Sequence, residues 1–372
     1  MTPRELAALA REGAGAGTLS VYLDARVTDP AMRNAWRPAL TTALRDARAA
    51  IADERERAAF DQAATFLEQP LPAPGGVWGA RGWVAIATAD GLRYAAELPV
   101  RVPTLAVWRS GPVVSPYVRV LKEHRPVIVA LVDSRSARFF RYTWGTLAAL
   151  PEATLTAPND LAAATPGSSE LRATSSPAPR GALDTERAGR RRAALFRRLA
   201  ASIAARLAEL AGVDGWILIG GTREWARLAA GTLAPRFADR LLVSSSLDHD
   251  ATDRQIVEAA REAASGLRAM HGRALLERLL ERMLPQGRGE VGVPATQRAL
   301  RAQAVDVLLL SPEFLEAYPP VAEDAVHAAL AQGAEVEVLS GEAAAHLDRA
   351  AGGIAARLRF AIDASPRHDT LN

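Results

Sequence analysis

Cysteine is absent from this chain of 372 residues, which excludes disulfides, thiolate–zinc sites and cysteine nucleophiles together. Lysine is nearly absent as well: every basic residue except Lys122 is arginine. No apolar run approaches the roughly 20 residues that a membrane-spanning helix needs, so no membrane association is expected. The opening Met1-Thr2-Pro3-Arg4-Glu5 lacks a basic stretch followed by an apolar one, so no export signal is expected and the location is expected to be cytoplasmic. No H-E-x-x-H or G-x-S-x-G pattern occurs. Gly220-Gly221 lacks both G-x-G-x-x-G and the G-K-[ST] ending, so it reads as a strand-to-helix turn rather than a phosphate loop. No cofactor is expected.

What is present is the balance of a soluble globular protein, 49% hydrophobic and 23% charged, in a length that suits two or three domains. The net charge of +3 says little about partners. A GC-rich coding bias would account for the arginines, yet arginine also binds phosphate bidentately, so their placement has to decide.

The segment to about residue 120 reads as mixed α/β. Leu19 to Leu23 is a strand, Asn34 to Glu56 a long helical stretch, and Pro70 to Gly76 a proline-rich break that no helix or central strand tolerates. Trp83 to Ala87 is a strand before an Asp90-Gly91 hairpin turn. Val127 to Val132, a continuous apolar run, suits a fully buried central strand, with Ala137 to Phe140 completing a hairpin. From Pro151 to about Gly189 periodicity disappears among prolines, glycines and serines. A loop of that length is functional or disordered, and Thr156 to Ala188 is expected to be weakly ordered. Leu195, Leu199, Ile203, Leu207 and Leu210 then share one helix face, which Gly212 ends. Strands at Trp216 to Ile219 and Leu241 to Val243 follow, and Thr252 with Gln255 forms a capping box. A last domain starts near Gly272, with strands at Val305 to Leu310 and Glu335 to Leu339, helices at Val321 to Ala331 and Ala343 to Ala350, and a closing strand at Leu358 to Phe360.

The strongest charge feature follows the loop. Arg187, Arg190, Arg191, Arg192, Arg197 and Arg198 lie close together, and all except Arg192 fall away from the Leu195/Leu199/Ile203 stripe. Such a face suits RNA phosphates through counterion release, or it is a solvated face with Asp184 and Glu186 as local partners. Asp133, Asp248 and Asp250 at strand ends suit either turn capping or the metal-binding carboxylates of a nuclease.

The tail carries a resemblance. Gly352-Gly353-Ile354-Ala355-Ala356-Arg357-Leu358-Arg359-Phe360 resembles the Gly-Gly-Ile-Gly-x-x-Leu-Arg-Tyr ending of the third domain in archaeo-eukaryotic class-1 release factors and Pelota. Ala299 to Leu309 is similar to the Ala-Leu-x-x-Gly-Ala-Val-x-x-Leu-Leu segment of that domain, and Ala331 to Val338 to its Gly-Ala-x-x-Glu-x-Val strand entry. Thr18 to Leu23 resembles the bacterial branch. The resemblance implies an α/β protein of three domains. A mixed α/β N-terminal domain would span 1–122 and a ribonuclease H-like middle domain with a long loop 123–270. A small kink-turn-protein-like α/β sandwich would span 271–372.

In that superfamily the middle-domain loop carries Gly-Gly-Gln, whose glutamine positions water at the peptidyl-tRNA ester. The corresponding stretch here is Pro179-Arg180-Gly181-Ala182, and no glutamine lies between Gln69 and Gln255. The Asn-Ile-Lys-Ser stop-codon element is also missing. The resemblance therefore implies a non-hydrolytic factor of the ribosomal aminoacyl site, acting in rescue, quality control or hibernation. Arg180, Gly181, Arg187, Arg190, Arg191, Arg192 and Arg198 would face ribosomal RNA, and Gly352, Gly353 and Arg359 would mark the C-terminal family motif. The implied partners are the ribosome with its stalk-region proteins, a translational GTPase and tRNA. A release factor that cleaves peptidyl-tRNA without glutamine, and a metal-dependent nuclease, remain alternative readings.

Overall fold

The computed structural model describes residues 17–25, 36–68, 70–71, 80–151, 155–156 and 181–362, with positions 5, 8, 9 and 15. The chain forms two compact units, one from residues 124–274 and the other from 1–123 together with 275–372.

The N-terminal part of the discontinuous unit is an antiparallel sheet of β1 (Gly17–Asp24), β2 (Gly82–Thr88), β3 (Gly91–Leu98) and β4 (Leu105–Ser110), ordered β3-β2-β1-β4. Helices α1 (Trp36–Ala49) and α2 (Glu54–Thr65) cover it, with Trp36, Leu40, Phe60 and Trp83 in the shared core. The long helix expected over Asn34 to Glu56 is thus two helices. Asp53 explains the break: its carboxylate accepts from the Arg55 and Glu56 amides at 2.7 and 3.0 Å, so it caps a new helix instead of continuing the old one. The short helix α3 (Ser115–Glu123) ends this part.

The middle unit is a sheet ordered β10-β9-β5-β6-β7, built from β5 (Val127–Val132), β6 (Ser136–Thr143), β7 (Thr146–Ala149), β9 (Trp216–Gly221) and β10 (Leu241–Val243). The two-residue β8 (Leu155–Thr156) pairs with β6. β10, β9 and β5 run parallel; β6 and β7 are antiparallel additions. All residues of β5 are 0% exposed, as the unbroken apolar run implies. Its alternate side chains serve two cores. Ile128, Ala130 and Val132 pack with Leu199, Ile203 and Leu207 of α4 (Gly181–Ala211) and Trp225 of α5 (Arg223–Thr232). Val127, Val129 and Leu131 pack with Ile256, Ala260 and Leu267 of α6 (Asp253–Glu277). Gly220-Gly221 is a packing turn. Gly221 has φ of 101°, and a Cβ there would lie 2.1 Å from the Val132 carbonyl oxygen. The Thr252 amide donates to Gln255 Oε1 at 2.9 Å and the Gln255 amide to Thr252 Oγ1 at 3.4 Å, the reciprocal capping box that starts α6. Gly272 does not interrupt that helix, which runs on to Glu277 and then through a π-helical segment, Arg278–Met283.

The C-terminal part of the discontinuous unit contains β11 (Gly289–Val291), α7 (Val293–Arg301), β12 (Val305–Leu310), α8 (Pro312–Ala317), α9 (Pro319–Ala331), β13 (Glu335–Val338), α10 (Gly341–Ala351) and β14 (Ile354–Leu358). Its sheet is ordered β11-β14-β12-β13. The closing strand begins at Ile354, not at Leu358. Ala355 and Ala356 favour strands weakly, but both are fully buried there, and burial outweighs intrinsic preference.

Two charged contacts tie this part to α3 and the residue before it. Glu323 on α9, 2% exposed, accepts from the Val114 amide at 2.6 Å and from the Ser115 amide at 3.2 Å, capping α3 across the unit. Lys122, the only lysine, places Nζ 2.8 Å from Glu337 and 3.1 Å from Glu335.

Candidate functional site

The arginine-rich helix is built as the apolar period requires. Leu199, Ile203 and Leu207 are buried against β5 and β9, and Phe196 meets Trp225 edge-on at 4.7 Å between ring centroids. Arg197 and Arg198, on the other side, are exposed. The helix begins at Gly181, about two turns earlier than the loss of periodicity suggests. Ala182, Leu183, Glu186, Arg187 and Ala188 are all good helix formers, and the last proline before them is Pro179.

Arg187, Arg190, Arg191 and Arg192 therefore sit within a regular helix, on its N-terminal half, with Gly181 as its first residue. Their side chains, and residues 157–180 of the expected loop with Arg180, lie outside the described residues. A helix start carries unpaired amides and the positive end of the helix dipole, so this end of α4 suits an anion even before its arginines are counted.

Two of the three carboxylates considered as metal ligands, Asp133 and Asp250, have other partners. Asp133 accepts from the Arg135 and Ser136 amides, both at 2.6 Å, in a tight turn between β5 and β6. Its second oxygen lies 3.3 Å from His249 Nε2, and Asp250 meets the other nitrogen of that ring at 3.2 Å. Ser136 Oγ also reaches His249 Nε2, at 3.2 Å, and Arg138 donates to the His249 carbonyl. His249 thus pins the segment after β10 to the β5–β6 turn, a contact that sequence spacing could not reveal.

The C-terminal motif has a packing explanation. Gly352 caps α10 in the left-handed conformation, with φ of 61°. At Gly353, φ is 84° and a Cβ would come within 2.6 Å of Phe314 Cβ and 2.8 Å of Ser311 Oγ. Ser311 Oγ bonds Asp348 and accepts from the Phe314 amide at 3.0 Å. Arg359 donates to the Gln332 carbonyl at 3.0 Å. These residues shape the end of the sheet.

A cleft of about 1160 Å³ in the discontinuous unit, lined by Trp108, Arg109, Pro116, Arg119, Pro319 and Glu323 among others, was not legible in the sequence. Its arginines are already paired, Arg109 with Asp324 at 2.5 Å and Arg119 with Glu123 at 2.9 Å.

Residues 112–265, which contain the middle sheet, α4 and the start of α6, match the model of bacterial archaeo-eukaryotic release factor family 10. That match spans less than half of the chain. No curated protein matches the chain. Among solved structures, Dom34 of S. cerevisiae, described as a translation termination-like factor in RNA quality control that interacts with Hbs1, is similar at 11% identity. That match covers 73% of this chain and 74% of Dom34, with a TM-score of 0.44. Pelota of Archaeoglobus fulgidus is 16% identical over 76% of this chain and 80% of its own, with a TM-score of 0.33. An archaeal Pelota from a ribosome-bound model with ABCE1 is 15% identical over 97% and 95%, with a TM-score of 0.41. Within the matched residues, α4 starts at Gly181 of the Pro179-Arg180-Gly181-Ala182 stretch. Among the described residues no helix is long and apolar enough to cross a membrane.

Proposed function

We propose that this protein is a ribosome-associated translation factor that occupies the aminoacyl site without hydrolysing peptidyl-tRNA, in rescue, quality control or hibernation. One observation carries the reading: the release-factor match over residues 112–265 contains no glutamine before Gln255. A side-chain amide can accept from a water while donating to the ester. Arg180, the polar side chain of the Pro179-Arg180-Gly181-Ala182 stretch, is a cation with donors only. It can meet phosphate but cannot orient water as a base would. Arg180, Arg187, Arg190, Arg191, Arg192 and Arg198 would then contact ribosomal RNA, and Gly181 would open the helix that presents them. The C-terminal part would meet stalk-region proteins or a translational GTPase, with tRNA as a further partner.

Two measurements test this. Purified protein added to ribosomes carrying labelled peptidyl-tRNA is expected to release no appreciable peptide; release at the rate of a Gly-Gly-Gln factor would establish the hydrolytic alternative instead. Replacing Arg187, Arg190 and Arg191 by glutamine is expected to weaken ribosome binding and to make the plot of log affinity against log salt shallower, by roughly 0.7–0.9 for each phosphate that is no longer neutralised. Arg45, Arg254 and Arg261, exposed elsewhere, form the matched control set. Arg268 is unsuitable as a control because its Nε is buried. Equal losses from both sets would mean diffuse attraction rather than a site.

A further inference from the structure

The hairpin that joins β6 to β7 turns through Trp144 and Gly145, with φ of 55° and 82°. Thr143 pairs with Thr146 across it, so this is a two-residue turn of type I′. Asparagine or aspartate followed by glycine is the favoured pair in such a turn, because the first residue must hold a left-handed conformation. Tryptophan is a poor choice for the backbone there. Among the described residues only Gln303 shares a positive φ without being glycine, and Gln303 sits in the ordinary place for it, just after helix α7.

What the turn gains is the ring. Trp144 lies stacked on His124, with centroids 5.1 Å apart and planes inclined by 29°, and it remains partly exposed. A Cβ on Gly145 would meet nothing within 4 Å, so the tip is unobstructed. Arg141, on β6 three residues earlier, is exposed. A strained backbone that displays a flat, already stacked aromatic pair at an open tip, with an exposed arginine three residues before it on β6, matches the chemistry of single-strand nucleic-acid recognition. Stacking accepts any base, and the cation serves the phosphate.

We propose that the Trp144–His124 pair is a stacking platform for an unpaired RNA base, with Arg141 facing the adjoining phosphate. The inference rests on the reading of this chain as an RNA-associated factor, but it concerns a surface separate from the arginine helix. Purines stack more strongly than pyrimidines, so the platform should favour a short oligo(A) over oligo(U).

The test uses the full chain and three variants, with binding of labelled oligo(A) and oligo(U) followed by fluorescence anisotropy and binding to ribosomes by co-sedimentation. Trp144→Asn restores the favoured turn pair, so its melting temperature should equal or exceed that of the wild type. Its affinity for oligo(A) should fall about tenfold, and the preference over oligo(U) should vanish. Trp144→Phe keeps a ring and should retain most of the preference; Arg141→Gln should weaken both RNAs alike. Unchanged oligo(A) binding by Trp144→Asn, an equal loss for both RNAs, or no preference in the wild type would overturn the platform. If Trp144→Asn lost ribosome binding while oligonucleotide binding held, the ring would serve a protein contact, which also overturns it. Wild-type binding to ribosomes without any of these base effects would leave the proposed function standing and remove this inference alone.

Discussion

Replacing Glu323 isolates the charge that joins two distant parts of one unit. Its carboxylate accepts from the Val114 and Ser115 amides and lies 3.3 Å from His327 Nε2, in a side chain only 3% exposed. Glu323→Ala removes the acceptor from a place that water does not reach. Two buried or half-buried donors are then unpaired, at about 1–3 kcal/mol each, and breaking a buried charged contact typically costs about 3–5 kcal/mol in all. Glu323→Gln keeps one oxygen for the Val114 amide but can turn an NH2 toward Ser115, donor against donor. Its cost should be smaller, about 1–2 kcal/mol. Denaturant unfolding of the full chain gives the free energies. Amide exchange of residues 114–123 reports the unit concerned, since a two-unit chain need not unfold in one step. The ordering should be wild type, then Gln, then Ala. An alanine variant within about 1 kcal/mol of the wild type would refute the view that this carboxylate caps α3.

Tyr22 gives a prediction for alkaline pH. Its hydroxyl donates to the Val113 carbonyl at 2.8 Å, and burial first, then the Glu323 charge, push its pKa well above the ordinary value. The fold thus favours the neutral phenol: that stability is present below the unfolded pKa of about 10 and is lost as pH rises through the folded value. Tyr22→Phe should flatten the alkaline loss while costing about 1 kcal/mol at neutral pH, and an unchanged alkaline slope would contradict the assignment. Gly353→Ala should destabilise by about 3 kcal/mol or more, since positive φ and close contacts combine there. Gly333→Ala, with φ of 70° but nothing within 4 Å of its Cβ, should cost only about 1–2 kcal/mol, and equal losses in thermal melts would refute the contact argument.

Local signals were the legible ones. The unbroken run from Val127 to Val132 is buried on both faces, Leu199, Ile203 and Leu207 of the α4 period pack as spaced, and the Thr252–Gln255 box forms its reciprocal bonds. Each follows from a repeat or spacing confined to a few residues. The break at Asp53 was missed because the helical composition continues through it, and only the capping bonds show that the carboxylate turns back on the following amides. The candidate site was half legible. Arg197 and Arg198 are exposed as their offset from the stripe requires, whereas the early start at Gly181 depended on propensity without any apolar period. The Asp133–His249 contact and the Glu323 cap join residues far apart in the chain, and no local pattern marks either. The Trp144 turn lay in plain view as Trp-Gly, but tryptophan is not a turn-forming residue, so only the observed φ drew it out.

The Glu323 cap also has a consequence in time. The Val114 amide precedes its acceptor by 209 residues, and the whole middle unit is translated between them. At roughly 5–20 residues per second, the nascent chain carries α3 without its buried cap for about 10–40 s. The middle unit, continuous in sequence, can finish its own sheet in that interval. The unit that begins the chain is therefore among the last to be completed, and a product truncated before residue 323 would leave α3 permanently without the carboxylate that caps it.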